Sequence, residues 1–107
     1  MTAERVASVV DIPQGEVRVV RCGTRSLAVS NIGGTLYAID NVCTHDGGTL
    51  GEGRLRGDRV LCPRHGAAFD ARTGKVLTLP AVRSVRSYPV AVEGDDVYVD
   101  PDGGVMP

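Results

Sequence analysis

Long apolar runs are absent from this chain of 107 residues. None approaches the roughly twenty residues that cross a bilayer as a helix, so no membrane partner is expected. The opening stretch Met1-Thr2-Ala3-Glu4-Arg5 carries neither an apolar signal core nor a twin-arginine pair, which sets the expectation of a cytoplasmic protein. Charge of one sign is lacking as well. Twelve Lys and Arg stand against 13 Asp and Glu, without the basic footprint that a nucleic-acid partner requires. The chain is too short for a parallel α/β barrel, or for a dinucleotide domain joined to a substrate domain. A single domain over residues 1–107 is expected, hiding roughly two thirds of its extended-chain surface. Cysteine is scarce and odd in number, at Cys22, Cys43 and Cys62. That argues against a secreted disulfide scaffold and for a reducing compartment, where Cys and His read more readily as metal ligands.

What the chain has in quantity is valine, 17 copies, many alternating with polar residues. Residues 16–21, 26–30, 35–39, 87–93 and 96–100 read as short strands on this period of two. Turn signals stand between them at Gly23-Thr24, at residues 31–34 and at residues 93–96. No window sustains a 3.6-residue apolar period. The expectation is an all-β domain, antiparallel sheets in a sandwich or small barrel. Residues 41–80 break the rhythm: they are glycine-rich, with short apolar pairs such as Val60-Leu61 and Ala68-Phe69. Such a segment packs poorly unless something ties it down. Residues 70–75 read as a hairpin turn with Gly74 at positive φ. Residues 101–107 read as a frayed tail.

Two short motifs stand in the loop-rich region, Cys43-Thr44-His45 and Cys62-Pro63-Arg64-His65, with 16 residues between His45 and Cys62. They hold both histidines of the chain. Each offers one soft, anionic thiolate and one neutral imidazole, so two matching loops can each send a ligand to either of two metals. A tetrahedral zinc site of two Cys and two His is the competing reading. Zinc fingers group Cys with Cys and His with His, whereas each loop here mixes them.

The pattern C-x-H, 16 residues, C-x-x-H resembles the Rieske iron–sulfur proteins, in which two His replace two Cys on one iron. Gly47 and Gly66 follow the histidines as small residues do in that family. Phe69-Asp70, Thr73-Gly74 and Leu79-Pro80-Ala81 are similar to its strand, hairpin and proline-bearing third loop, and Tyr88-Pro89-Val90 to the strand that returns to the base fold. The resemblance implies the Rieske fold, with residues 41–80 as a two-loop cluster-binding subdomain. It implies one [2Fe-2S] cluster per chain, held by Cys43, His45, Cys62 and His65, with the imidazole edges facing solvent. A midpoint potential that falls as pH rises follows from such imidazoles.

Departures from the respiratory branch of the family are informative. The positions that would carry its loop-bridging disulfide look like Gly48 and Arg64, so that bridge cannot form. Ala67 and Phe69 stand where that branch places a serine and a tyrosine, whose hydroxyls stabilise the added electron. Their loss predicts a low-potential centre. What remains resembles the soluble Rieske ferredoxins of bacterial oxygenase systems, which implies an electron carrier without a catalytic site of its own. Its partners would be a flavoprotein NAD(P)H reductase and a terminal oxygenase, met as a monomer through small, transient contacts. No histidines are left for the mononuclear iron of the oxygenase itself. A Rieske-like subunit or regulatory module of another redox enzyme, such as nitrite reductase, is the alternative; a zinc-stabilised interaction domain is the third.

Other residues read blandly. Cys22 is expected to be a small buried hydrophobe. Asp46 reads as a loop-capping carboxylate, Pro80 as a cover over the cluster. Arg54, Arg56, Arg59 and Arg64 offer a positive face to an acidic partner, or, interspersed with Glu52 and Asp58, an ordinary solvated surface. The acidic residues from Glu93 to Asp102 read as a turn-rich solvated face. The glycine run at 47–53 lacks the lysine and following helix of a phosphate loop.

Overall fold

A computed structural model of the chain describes residues 3–43, 49–63, 66–79, 81 and 83–107. Among them are ten strands: β1 (Glu4–Ser8), β2 (Val17–Cys22), β3 (Arg25–Ile32), β4 (Thr35–Asp40), β5 (Arg54–Arg56), β6 (Arg59–Leu61), β7 (Ala68–Asp70), β8 (Ser87–Tyr88), β9 (Val90–Glu93) and β10 (Asp96–Val99). Two single turns of 3-10 helix, Val9–Asp11 and Leu50–Glu52, are the helical content. Among the described residues, no helix is long and apolar enough to cross a membrane. The all-β expectation holds.

The valine-rich repeats build the longest ladders. Strand β2 pairs with β3 from Val17↔Ser30 to Cys22↔Arg25, and β3 pairs with β4 from Leu27↔Asp40 to Ile32↔Thr35. The central sheet runs β2-β3-β4-β8, a second sheet β1-β10-β9 and a third β5-β6-β7, with neighbouring strands antiparallel. β3 is buried on both sides, and its alternation divides the core in two. Leu27 and Val29 join Val97, Val99 and Ala7 of the second sheet. Ala28 joins Val60, Phe69, Cys43 and Cys62 on the opposite side. Each such buried aliphatic or aromatic side chain contributes on the order of 1.5–3 kcal/mol.

The strand expected over residues 87–93 is two strands. Ser87–Tyr88 belongs to the central sheet and Val90–Glu93 to the second. Pro89 separates them; lacking an N–H, it cannot continue a ladder. The three-residue strands β5, β6 and β7 are too short to show a period in the sequence, and β1 escaped notice because Glu4 and Arg5 obscure its single buried residue, Ala7.

The tail expected to fray is hydrogen-bonded to β8 at Val105. Ser87 N–H donates to Val105 O at 2.9 Å, and Val105 N–H returns the bond to Ser87 O at 2.9 Å. Gly104 lies against the Tyr88 ring, where a Cβ would come within 2.8 Å of it. The reason is the open edge of β8, which supplies backbone partners that the Pro- and Gly-rich composition of the tail does not advertise.

The turn over residues 70–75 is present. Asp70 N–H donates to Lys75 O and Gly74 N–H to Asp70 O, both at 2.8 Å, while Asp70 Oδ1 accepts from Arg72 N–H at 2.8 Å. Gly74 has φ +79°, and a Cβ there would strike the carbonyl oxygen of Val85. Any other residue would be strained twice over.

Candidate metal centre

Three segments converge on one buried cluster. The first leaves β4 at Asp40, reaches Cys43, and returns through the 3-10 turn Leu50–Glu52. Gly53 N–H donates to Leu50 O at 3.0 Å, and Gly53 lies so close to the Leu61 carbonyl that a Cβ has no room. The second is the turn after β6. Cys62 N–H donates to Ala67 O at 2.8 Å and Gly66 N–H to Cys62 O at 3.1 Å, which ties the turn by its own main chain. The third runs beside β7. Leu77 N–H donates to Ala68 O at 2.8 Å, Ala68 N–H to Thr78 Oγ1 at 2.9 Å, and Val76 N–H to Ser84 Oγ at 3.0 Å.

Cys43 and Cys62, two of the four expected ligands, come together in this cluster at 1% and 3% exposure. No disulfide joins any of the cysteines. The other two expected ligands, His45 and His65, lie outside the described residues, as do Asp46, Gly47, Gly48, Arg64 and Pro80. Ala67 and Phe69 are fully buried in the same cluster and bring no hydroxyl to it. Two thiols from separate loops in one apolar pocket fit an iron–sulfur group well. A buried thiolate needs a cation, and soft sulfur donors suit iron. A cleft bordered by Glu52, Gly53, Arg54, Pro63 and Gly66 opens beside Cys62.

Cys22 is placed apart. It packs in the other half of the core, its Sγ donates to Val99 O at 3.3 Å, and burial pushes its thiol up. It is a core residue. Arg54, Arg56 and Arg59 are exposed on the β5–β6 hairpin, where Arg56 and Arg59 face each other across the pair.

Two groups escaped the sequence reading. Tyr88 Oη donates to Asp40 Oδ1 at 2.6 Å, and Arg86 N–H donates to Asp40 Oδ2 at 3.0 Å, bracing the strand that leads into the first ligand loop. Burial, then the bond to Asp40, pushes the phenol above its ordinary range. Asn41 is the other, a buried carboxamide held on both sides. Neither carries a sequence signal, since a lone Asp or Asn near a strand end reads as turn chemistry.

The Rieske [2Fe-2S] domain family model matches residues 2–89. The chain belongs to that family. Its cofactor is therefore a Rieske-type [2Fe-2S] cluster, and the zinc reading falls away. This Rieske domain is 43% identical over 94 residues to the 3-phenylpropionate/cinnamic acid dioxygenase ferredoxin subunit of Escherichia coli strain K12, covering 86% of this chain and 87% of that one. Its fold is similar to the ferredoxin of carbazole 1,9a-dioxygenase from Nocardioides aromaticivorans IC177, with a TM-score of 0.89 and 33% identity over 94% of this chain and 99% of that one. It is also similar to a chain in a complex of reduced oxygenase and oxidised ferredoxin in carbazole 1,9a-dioxygenase, with a TM-score of 0.82, 37% identity and 91% of both chains covered.

Proposed function

We propose that this Rieske domain is the ferredoxin component of an oxygenase system. It takes single electrons from a flavin-dependent NAD(P)H reductase and delivers them to a terminal oxygenase. The 107 residues act as one unit, a cytoplasmic monomer, with residues 41–80 as its cluster-binding part. The observation that carries the reading is two buried cysteines from separate loops brought into one apolar cluster, on a chain that matches ferredoxin components over nearly their whole length. The complex of a related ferredoxin with its oxygenase supports the same direction of traffic.

Cys43 and Cys62 would hold one iron from the dry side, His45 and His65 the other. When bound, the cluster supplies reversible one-electron chemistry. The chain's part is to bury the thiolates and to exclude water from them. Ala67 and Phe69 withhold the donors that would stabilise added negative charge, which keeps the potential at the low end of the Rieske range. The relatives are ferredoxin components of dioxygenase systems, which supports a carrier rather than an enzyme.

Anaerobic purification with visible and EPR spectroscopy, followed by reduction through a flavoprotein reductase and turnover of a ring-hydroxylating oxygenase, tests the assignment. A Rieske-type EPR signal and oxygenase turnover that depends on this protein are expected. A colourless protein containing zinc and no inorganic sulfide would overturn it.

A further inference from the structure

The first ligand loop is closed by a side chain. Gly51 N–H donates to Asn41 Oδ1 at 2.6 Å, a buried bond between residues ten apart in sequence. The same carboxamide donates from Nδ2 to Ser26 Oγ at 2.9 Å, and Asn41 N–H donates to Ser26 O at 3.1 Å. Ser26 belongs to β3, the central strand of the domain. Asn41 is thus anchored twice to the sheet and with its remaining polar atom holds the far end of the segment 42–50. The fit is close: a Cβ on Gly51 would come within 3.0 Å of Asn41 Oδ1 and 2.5 Å of Val19 Cγ2. Among the described residues of the second ligand turn, Cys62, Gly66 and Ala67 are joined main chain to main chain.

We propose that Asn41 is a positioning residue for the cluster, its carboxamide fixing the loop that delivers Cys43 and His45. This rests on the reading of those two residues as ligands. One planar group must bond the Gly51 N–H and the Ser26 hydroxyl at once, which an amide does by accepting from the first and donating to the second, and an aliphatic side chain cannot. Closing the loop before the cluster arrives removes chain entropy that the ligands would otherwise lose on binding it. Removal of the amide leaves the buried Gly51 N–H without this partner.

The test uses the full-length holoprotein with Asn41→Ala, Asn41→Asp and Ser26→Ala. Three readouts are followed: bleaching of the visible bands by a chelator, the EPR line shape of the reduced protein, and the thermal midpoint. Asn41→Ala is expected to bleach about tenfold faster with a broadened EPR spectrum, the cost of one lost buried hydrogen bond. Asn41→Asp is expected to restore the native line shape, because its carboxylate accepts from both Gly51 N–H and Ser26 O–H. Ser26→Ala is expected to bleach about threefold faster, one anchor of two being gone. A native line shape and native bleaching rate in Asn41→Ala overturn the proposal. So does faster bleaching that follows the thermal midpoint alone and is not restored in Asn41→Asp. Should Asn41→Ala yield no folded protein, a native bleaching rate in Ser26→Ala overturns the proposal and a faster one supports it. An unmodified protein that shows no Rieske-type signal sinks the ligand assignment instead.

Discussion

The central sheet and the small β5–β6–β7 sheet reach order by different means. Strands β2, β3 and β4 share six-pair ladders, and β3 is packed on both faces, so many interchangeable contacts support each residue. Strands β5, β6 and β7 share three-pair ladders. Their surroundings depend on single contacts that admit no substitute: Gly53 against Leu61, Gly74 against Val85, Thr78 and Ser84 hydroxyls on main-chain N–H groups. A region with redundant burial opens only with the whole domain, whereas one resting on few contacts opens locally unless a ligand adds binding energy. The base is therefore expected to hold without the cofactor, and the smaller sheet to gain order from it.

Replacement of either buried cysteine separates the two regions most sharply. Cys43→Ser or Cys62→Ser should abolish the visible bands and the EPR signal entirely, while the far-UV circular dichroism of the central sheet persists. Chelation of the native protein under anaerobic conditions should do the same more gently. Amides of residues 54–70 are expected to lose protection by about a hundredfold in hydrogen exchange, and those of β2–β4 to change little. A uniform loss across both regions would erase the distinction.

Restoring hydroxyls beside the thiolates acts on the site without touching the base. Ala67→Ser and Phe69→Tyr should each raise the midpoint by roughly 60 mV, the equivalent of one added hydrogen bond of about 1.4 kcal/mol in a one-electron couple. Redox titration checks the sign. On the base side, Tyr88→Phe removes the bond to Asp40 and should cost about 1.5 kcal/mol at neutral pH, read by urea unfolding. The folded phenol is pushed up, so this contribution is full below the ordinary tyrosine value of 10.0 and disappears as pH rises through the folded value. The gap between native and variant should therefore narrow above pH 10. Smallest is Ser30→Ala. Ser30 is fully buried in β3 and its hydroxyl has no hydrogen-bond partner among the described residues, so its loss should stabilise the protein by up to about 1 kcal/mol.

Legibility in the sequence follows the same division. Val17, Val29 and Val97 stand in alternating runs long enough to declare strands, and the base sheets are readable from them. In the smaller sheet, Val60 is the lone buried residue of β6, and Phe69 shares β7 with buried Ala68; in three-residue strands no period can form. The two Cys/His motifs were conspicuous because thiolate and imidazole in mixed pairs have few other uses. Asn41 and Tyr88 were not, because their partners, Ser26, Gly51 and Asp40, are brought near only by folding.

The hydrogen-bonded pair of Val105 and Ser87 acts as a stopper. Strand β8 would otherwise present bare amide and carbonyl groups to any neighbouring copy, an invitation to clumping. Shortening the chain before Gly104 should leave the redox site intact yet make concentrated solutions prone to self-association. A purification handle is accordingly better placed after Pro107 than substituted for the last few residues.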